Sequence, residues 1–167
     1  MVLLWVSAVG AFAKSTDETL ALAEESAIVS HNHPEGVKGA QATALAINLA
    51  IRGCSKEEIK AQIETKFGYD LNRKYADIQP RYTFDVSCQG SVPEAIIAFI
   101  ESSDYESAIR MAVAYDADTQ AAIVGGIAAA YYGAIPNYIL KECLNRLPLD
   151  IKEIIAKFNQ VCDNELY

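Results

Sequence analysis

Asp116, Asp118 and Thr119 put two carboxylates and a hydroxyl within four residues. Hard cations take donors of this kind. Mg²⁺ binds through a few carboxylates, keeps several waters and accepts a Thr hydroxyl into its shell. Asp and Thr are also ordinary helix N-caps and first-turn residues, since they satisfy orphan amide donors and complement the helix dipole. The four residues alone leave both readings open. A second cluster, Ser30-His31-Asn32-His33-Pro34-Glu35-Gly36, holds both histidines of the chain and a carboxylate. An i, i+2 His pair in a turn could bind a metal, but no third ligand of suitable spacing is near in sequence. The alternatives are structural hydrogen bonding, or one histidine facing a cleft to meet a polar ligand.

The elements that must position these clusters read as helices. Ser15-Thr16-Asp17-Glu18, Ser55-Lys56-Glu57-Glu58 and Ser103-Asp104-Tyr105-Glu106 each set a Ser three residues before a Glu, the capping-box spacing, and predict three helix starts. Leu20, Ala23, Ala27 and Ile28 recur at helical spacing up to a break near 30–34, where Pro34 suits the first turn of the next helix. That helix, about Glu35 to Ile51, carries Ala40, Ala44, Ile47 and Ile51 on one face and stops at Gly53. A shorter one, Lys56 to Phe67, closes at Gly68 in the same left-handed manner. Between Tyr69 and Gly90 periodicity fails, and tyrosines interleaved with Asp, Asn and Pro predict an ordered excursion holding a short helix. Helical text resumes at about Val92–Glu101, Tyr105–Ala114, Thr119–Tyr132, Pro136–Arg146 and Asp150–Cys162. The run Gly125–Gly133 is rich in Gly and Ala, which lower helix propensity but permit close backbone approach. It is expected to be the central, most buried helix.

Composition bounds the function. The 167 residues suit a single all-α domain, 1–167. A net charge of -8, with no basic stripe, excludes broad affinity for phosphate backbones, so no nucleic-acid partner is expected. Cys54, Cys88, Cys143 and Cys162 form no C-x-x-C pair and fit neither a zinc ribbon nor a disulfide framework. Buried free thiols in a reducing cytoplasm are the expectation. The apolar start Met1–Ala13 ends in Ala11-Phe12-Ala13 like a signal-peptide cleavage site, yet no Lys or Arg precedes it. The stretch Ala121 to Pro136 is shorter than the roughly 20 apolar residues a bilayer requires. No membrane partner is expected.

Four runs together carry a resemblance. They are Val6-Ser7-Ala8-Val9-Gly10-Ala11-Phe12-Ala13, the His cluster extended through Val37-Lys38-Gly39-Ala40, the run Phe84-Asp85-Val86-Ser87-Cys88-Gln89-Gly90-Ser91-Val92-Pro93-Glu94-Ala95, and Asp116-Ala117-Asp118-Thr119 extended to Ala128. In this order they resemble the ADP-ribosylglycohydrolase family, from about Val6 onwards. The resemblance implies a compact multi-helix, all-α fold with a dinuclear Mg²⁺ centre, hydrolysing the bond between ADP-ribose and a protein side chain or small acceptor. It makes Asp116, Asp118 and Thr119 metal ligands through the family's Asp-x-Asp-Thr/Ser motif. His31 becomes a wall of the ADP-ribose cleft.

The departures from the pattern are equally specific. The family's earlier ligand piece lies upstream of where this chain begins, so the resemblance describes an N-terminally truncated member with at most a partial metal site. Relatives carry an Asn-Gly-x-x-Met-Arg substrate loop before the Val6 run, where this chain has Met1-Val2-Leu3-Leu4-Trp5. The Gly-Gly usual before Asp-x-Asp is Ala114-Tyr115. Two functions follow as expectations. One is a hydrolase-lineage chain, inactive alone, whose cleft a second polypeptide completes. The other is a non-catalytic ADP-ribose- or metal-binding or helical interaction module, prone to self-association through uncovered apolar surface.

Overall fold

The computed structural model describes residues 6–30, 32–83, 85 and 87–162. They form ten α-helices and no strand: α1 Val6–Phe12, α2 Thr16–Ile28, α3 Pro34–Ile51, α4 Lys56–Phe67, α5 Tyr75–Ile78, α6 Cys88–Glu101, α7 Tyr105–Val113, α8 Thr119–Tyr132, α9 Asn137–Arg146 and α10 Leu149–Cys162. A short 3₁₀ turn, Gln79–Arg81, follows α5. The fold class read from the sequence is the one observed.

Caps account for most of the boundaries. Ser55 and Glu58 form a complete capping box, with the Ser55 hydroxyl accepting from the Glu58 amide at 3.2 Å and the Glu58 carboxylate accepting from the Ser55 amide at 2.8 Å. At α2 the box is shifted by one residue. Ser15 accepts from the Glu18 amide, but the Glu18 carboxylate reaches the amide of Lys14 instead of Ser15. At α7 the expected cap is corrected: Asp104 is the N-cap, and Ser107 closes the box. An aspartate can accept at that position as well as a serine, so the pattern was satisfied one residue later. The start of α6 also moves, from the expected Val92 to Cys88. Pro93 removes one amide donor inside that helix. The helix nevertheless begins earlier because Ser87 accepts from the Gly90 amide, and Ser91 donates its hydroxyl to the Asp85 carbonyl at 2.8 Å. Gly53 and Gly68 carry the positive φ expected of them, 77° and 66°.

The central helix is α3, not α8, which corrects the sequence reading. α3 buries 12 of its 18 residues and packs against α1, α2, α4, α6 and α8, whereas Gly125, Gly126, Ala129 and Ala130 of α8 stay only partly buried. Small residues still set the closest approach, but at α1: a Cβ added to Gly10 would lie 2.6 Å from the Ala44 carbonyl of α3. Asn48 of α3 fastens this joint by donating to the carbonyls of Gly10 (3.2 Å) and Ala13 (2.7 Å) at the end of α1. Hydrophobic side chains of α3, α4, α6, α7 and α8, Phe99, Leu45, Ile96, Ile97 and Ile123 among them, form the main core, and a smaller cluster of Val6, Ala23, Ala27, Ala40 and Ala44 joins α1, α2 and α3. α9 and α10 bury no residue fully. No disulfide is present among the described cysteines, and the expected burial is corrected: Cys54, Cys88 and Cys162 are partly buried and Cys143 is exposed.

Candidate functional site

The acidic run lies in the turn between α7 and α8. Asp118 is the N-cap of α8, its Oδ1 accepting from the Thr119 amide at 2.5 Å and from the Thr119 hydroxyl at 3.0 Å. The Asp116 Oδ1 accepts from the Asp118 amide at 3.4 Å. Donation from the Thr119 hydroxyl, then from its amide, holds the Asp118 carboxyl below the ordinary aspartate range. An anion is therefore maintained beside a second carboxylate. Thr119 is buried, Asp116 half-buried and Asp118 exposed. Capping and ligation are compatible here, because the cap engages one oxygen of Asp118 and a carboxylate has two.

Asp116, Asp118 and Thr119 offer oxygen donors of the kind a divalent cation takes. They do not complete a dinuclear centre, since no group of three or more His, Cys, Asp and Glu side chains with metal-holding geometry exists among the described residues. His31 lies outside the described residues. Of its neighbours, His33 is the N-cap of α3, its Nδ1 accepting from the Glu35 amide at 3.2 Å, and Pro34 opens the helix. For His33, structural hydrogen bonding is the reading that holds.

Sequence reasoning missed the polar residues around the acidic turn. Tyr115, just before Asp116, is buried with its ring 4.9 Å from Tyr75 and 4.7 Å from Tyr82. Gln120, just after Thr119, is fully buried and donates its amide to the Tyr82 hydroxyl at 3.1 Å. Glu94 of α6 pairs with Arg73 at 2.7 Å. The Glu94 Oε2, Gln120 Oε1 and Tyr115 hydroxyl are buried without hydrogen-bond partners. Burial, followed by the Glu94 charge, pushes the Tyr115 hydroxyl far above the usual tyrosine range. A cavity of about 280 Å³ adjoins this group, lined by Arg73, Arg81, Tyr82, Asp85 and Glu94 among others. One signal was available in the sequence: Gln120 is the only strongly polar residue within the apolar text of α8.

The model of one protein family, ADP-ribosylglycohydrolase, matches residues 2–165. The chain belongs to the ADP-ribosylglycohydrolase family. A solved structure described as an ADP-ribosylglycohydrolase-related protein complex superposes with a TM-score of 0.67 at 26% identity, over 92% of this chain and 54% of that one. The chain thus spans about half the length of the structural relative it matches. Among curated proteins none matches. No helix among the described residues is long and apolar enough to cross a membrane.

Proposed function

We propose that this chain carries one wall of an ADP-ribosylglycohydrolase cleft. Asp116, Asp118 and Thr119 are ligands on one side of its Mg²⁺ centre, and His31 is assigned to ADP-ribose binding on the family resemblance alone. The observation that supports this most directly is the placement of Asp116, Asp118 and Thr119 in one turn at the start of α8, where the Asp118 carboxylate accepts from the Thr119 amide and hydroxyl. Carboxylate and hydroxyl oxygens are the donors a hard cation takes. Asp116 and Asp118 bind and orient, while Thr119 fixes the rotamer of Asp118 and offers its own oxygen. Bound Mg²⁺ in such a cleft supplies Lewis-acid polarisation and lowers the pKa of its water. Among the described residues no second acidic group completes the centre, and hydrolysis of ADP-ribose from a side chain or small acceptor, in a cytoplasmic setting, is expected to require a complementing polypeptide segment.

Calorimetric titration of ADP-ribose into the purified chain, with and without Mg²⁺ and repeated on Asp118→Asn, tests the reading. Mg²⁺-dependent binding by the native chain and its loss in the variant are expected. The melting temperature should hardly move, because Asn caps a helix about as well as Asp. Identical binding by both proteins would reduce Asp118 to a cap. Rapid Mg²⁺-dependent release of ADP-ribose by the pure monomer would refute the need for a complementing segment.

A second reading, a helical interaction module, rests on the apolar surface of α10. Leu149, Ile154 and Val161 there are 71%, 59% and 65% exposed, and exposed apolar surface of this kind marks interfaces. Light scattering that found a clean monomer at high concentration would remove its support.

A further inference from the structure

The residues on either side of the acidic turn are gripped by one side chain from another part of the chain. Tyr82 lies just past the 3₁₀ turn of the excursion, far from residue 116 in sequence. Its ring packs on Tyr115 at 4.7 Å, and its hydroxyl accepts from Gln120 at 3.1 Å. Tyr115 in turn packs, tilted by 49°, against Tyr75, whose hydroxyl donates to the Met111 carbonyl of α7 at 3.0 Å. The excursion is itself anchored, by Arg73 to Glu94 of α6 and by the Tyr75 amide to the Glu101 carboxylate at 3.2 Å. The residue just before Asp116 is thus a tyrosine whose ring is held by a partner ring.

We propose that Tyr82 is a positioning residue for the acidic turn: by holding Tyr115 on one side and Gln120 on the other, it makes the excursion set where the Asp116 and Asp118 carboxylates point. The proposal rests on the reading of that turn as a ligand-bearing half-site. The physical basis is leverage. The hydrogen bonds described for turn residues 114–118 are local: the Ala114 amide to the Arg110 carbonyl, the Tyr115 and Asp116 amides to the Ala112 carbonyl, the Asp118 amide to Asp116, and the first turn of α8 to Asp118. The orientation of the turn is therefore decided by the buried residues at its two ends. Gln120 already has a buried Oε1 without a partner, and removing the Tyr82 hydroxyl leaves its Nε2 unpaired as well, which a buried amide tolerates poorly.

The test compares the native chain with Tyr82→Phe, which keeps the ring and removes the hydroxyl, and with Tyr138→Phe, which cuts the Tyr138–Glu106 contact on the other side of α7. Amide hydrogen exchange is read residue by residue, and Mn²⁺ alone is titrated by paramagnetic relaxation. The expected result for Tyr82→Phe is exchange about tenfold faster at residues 116–119, with Mn²⁺ affinity lowered and α3 protection unchanged. Tyr138→Phe should leave residues 116–119 as they are. Unchanged exchange there in Tyr82→Phe, or faster exchange spread evenly over all helices, would overturn the positioning role. Mn²⁺ failing to bind even the native chain would instead sink the half-site reading, with the exchange pattern still deciding the role of Tyr82.

Discussion

At the scale of single residues, Asp118 serves as both cap and candidate ligand. The N-cap position needs a short acceptor with one oxygen turned to the helix amides, and a hard cation needs a carboxylate with an oxygen to spare. One side chain meets both demands, and for that reason residue type alone could not choose between the readings. Buried tyrosines make a different prediction. Burial raises the Tyr69 and Tyr115 hydroxyls well above the ordinary tyrosine value, with the nearby Glu35 and Glu94 charges adding to the respective shifts. A folded-state pKa above the unfolded one gives stability that is complete below the unfolded pKa, about 10, and is lost as pH rises through the folded value. Melting temperature should therefore be insensitive to these groups up to about pH 10 and fall beyond it. Tyr115→Phe should remove part of that alkaline loss, and an equal loss in the variant would show that Tyr115 contributes nothing to it.

At the scale of elements, the helices were legible because their signals are local. A capping residue, an apolar stripe and a terminating glycine all lie within one or two turns of the boundary they set. Errors arose where two residues compete for one role. Ser103 and Asp104 are both good caps, and only the backbone path selects Asp104, whose φ and ψ of -159° and 176° are those of an extended N-cap. Asp104→Ala should lower the melting temperature by a few degrees while Ser103→Ala leaves it almost unchanged, a contrast that calorimetry resolves. Equal effects would return the cap to Ser103. The excursion 69–87 shows the opposite case: it was visible only as a failure of periodicity, yet it delivers Tyr75 and Tyr82 to the acidic turn.

At the scale of the whole molecule, burial is uneven. α3 is enclosed by five helices, while α9 and α10 bury no residue fully and α10 makes its main contact with α1 alone. Local opening free energy follows the density of buried contacts. Amides of α9 and α10 should exchange roughly a thousandfold faster than those of α3, and comparable protection would mean that a partner, or a second copy, covers them in solution. Between α1, α3, α8 and α10 lies an apolar cavity of about 420 Å³, so α10 covers this part of the surface without filling it.

The sequence by itself determined the all-α class and most helix boundaries, because each depends on spacing along one stretch of chain, and the resemblance of four runs taken together pointed to the family. Only the tertiary structure decided that α3 is the centre, that Tyr82 meets both flanks of the acidic turn, and that Glu94 and Gln120 are buried beside it. Hydrophobic periodicity tells which face of a helix is buried but not how many neighbours surround it. Contacts such as Gln120 to Tyr82 join residues far apart in sequence, and nothing in either local run specifies the other. Their meeting is fixed by the packing of α3, α6 and α8 into one core.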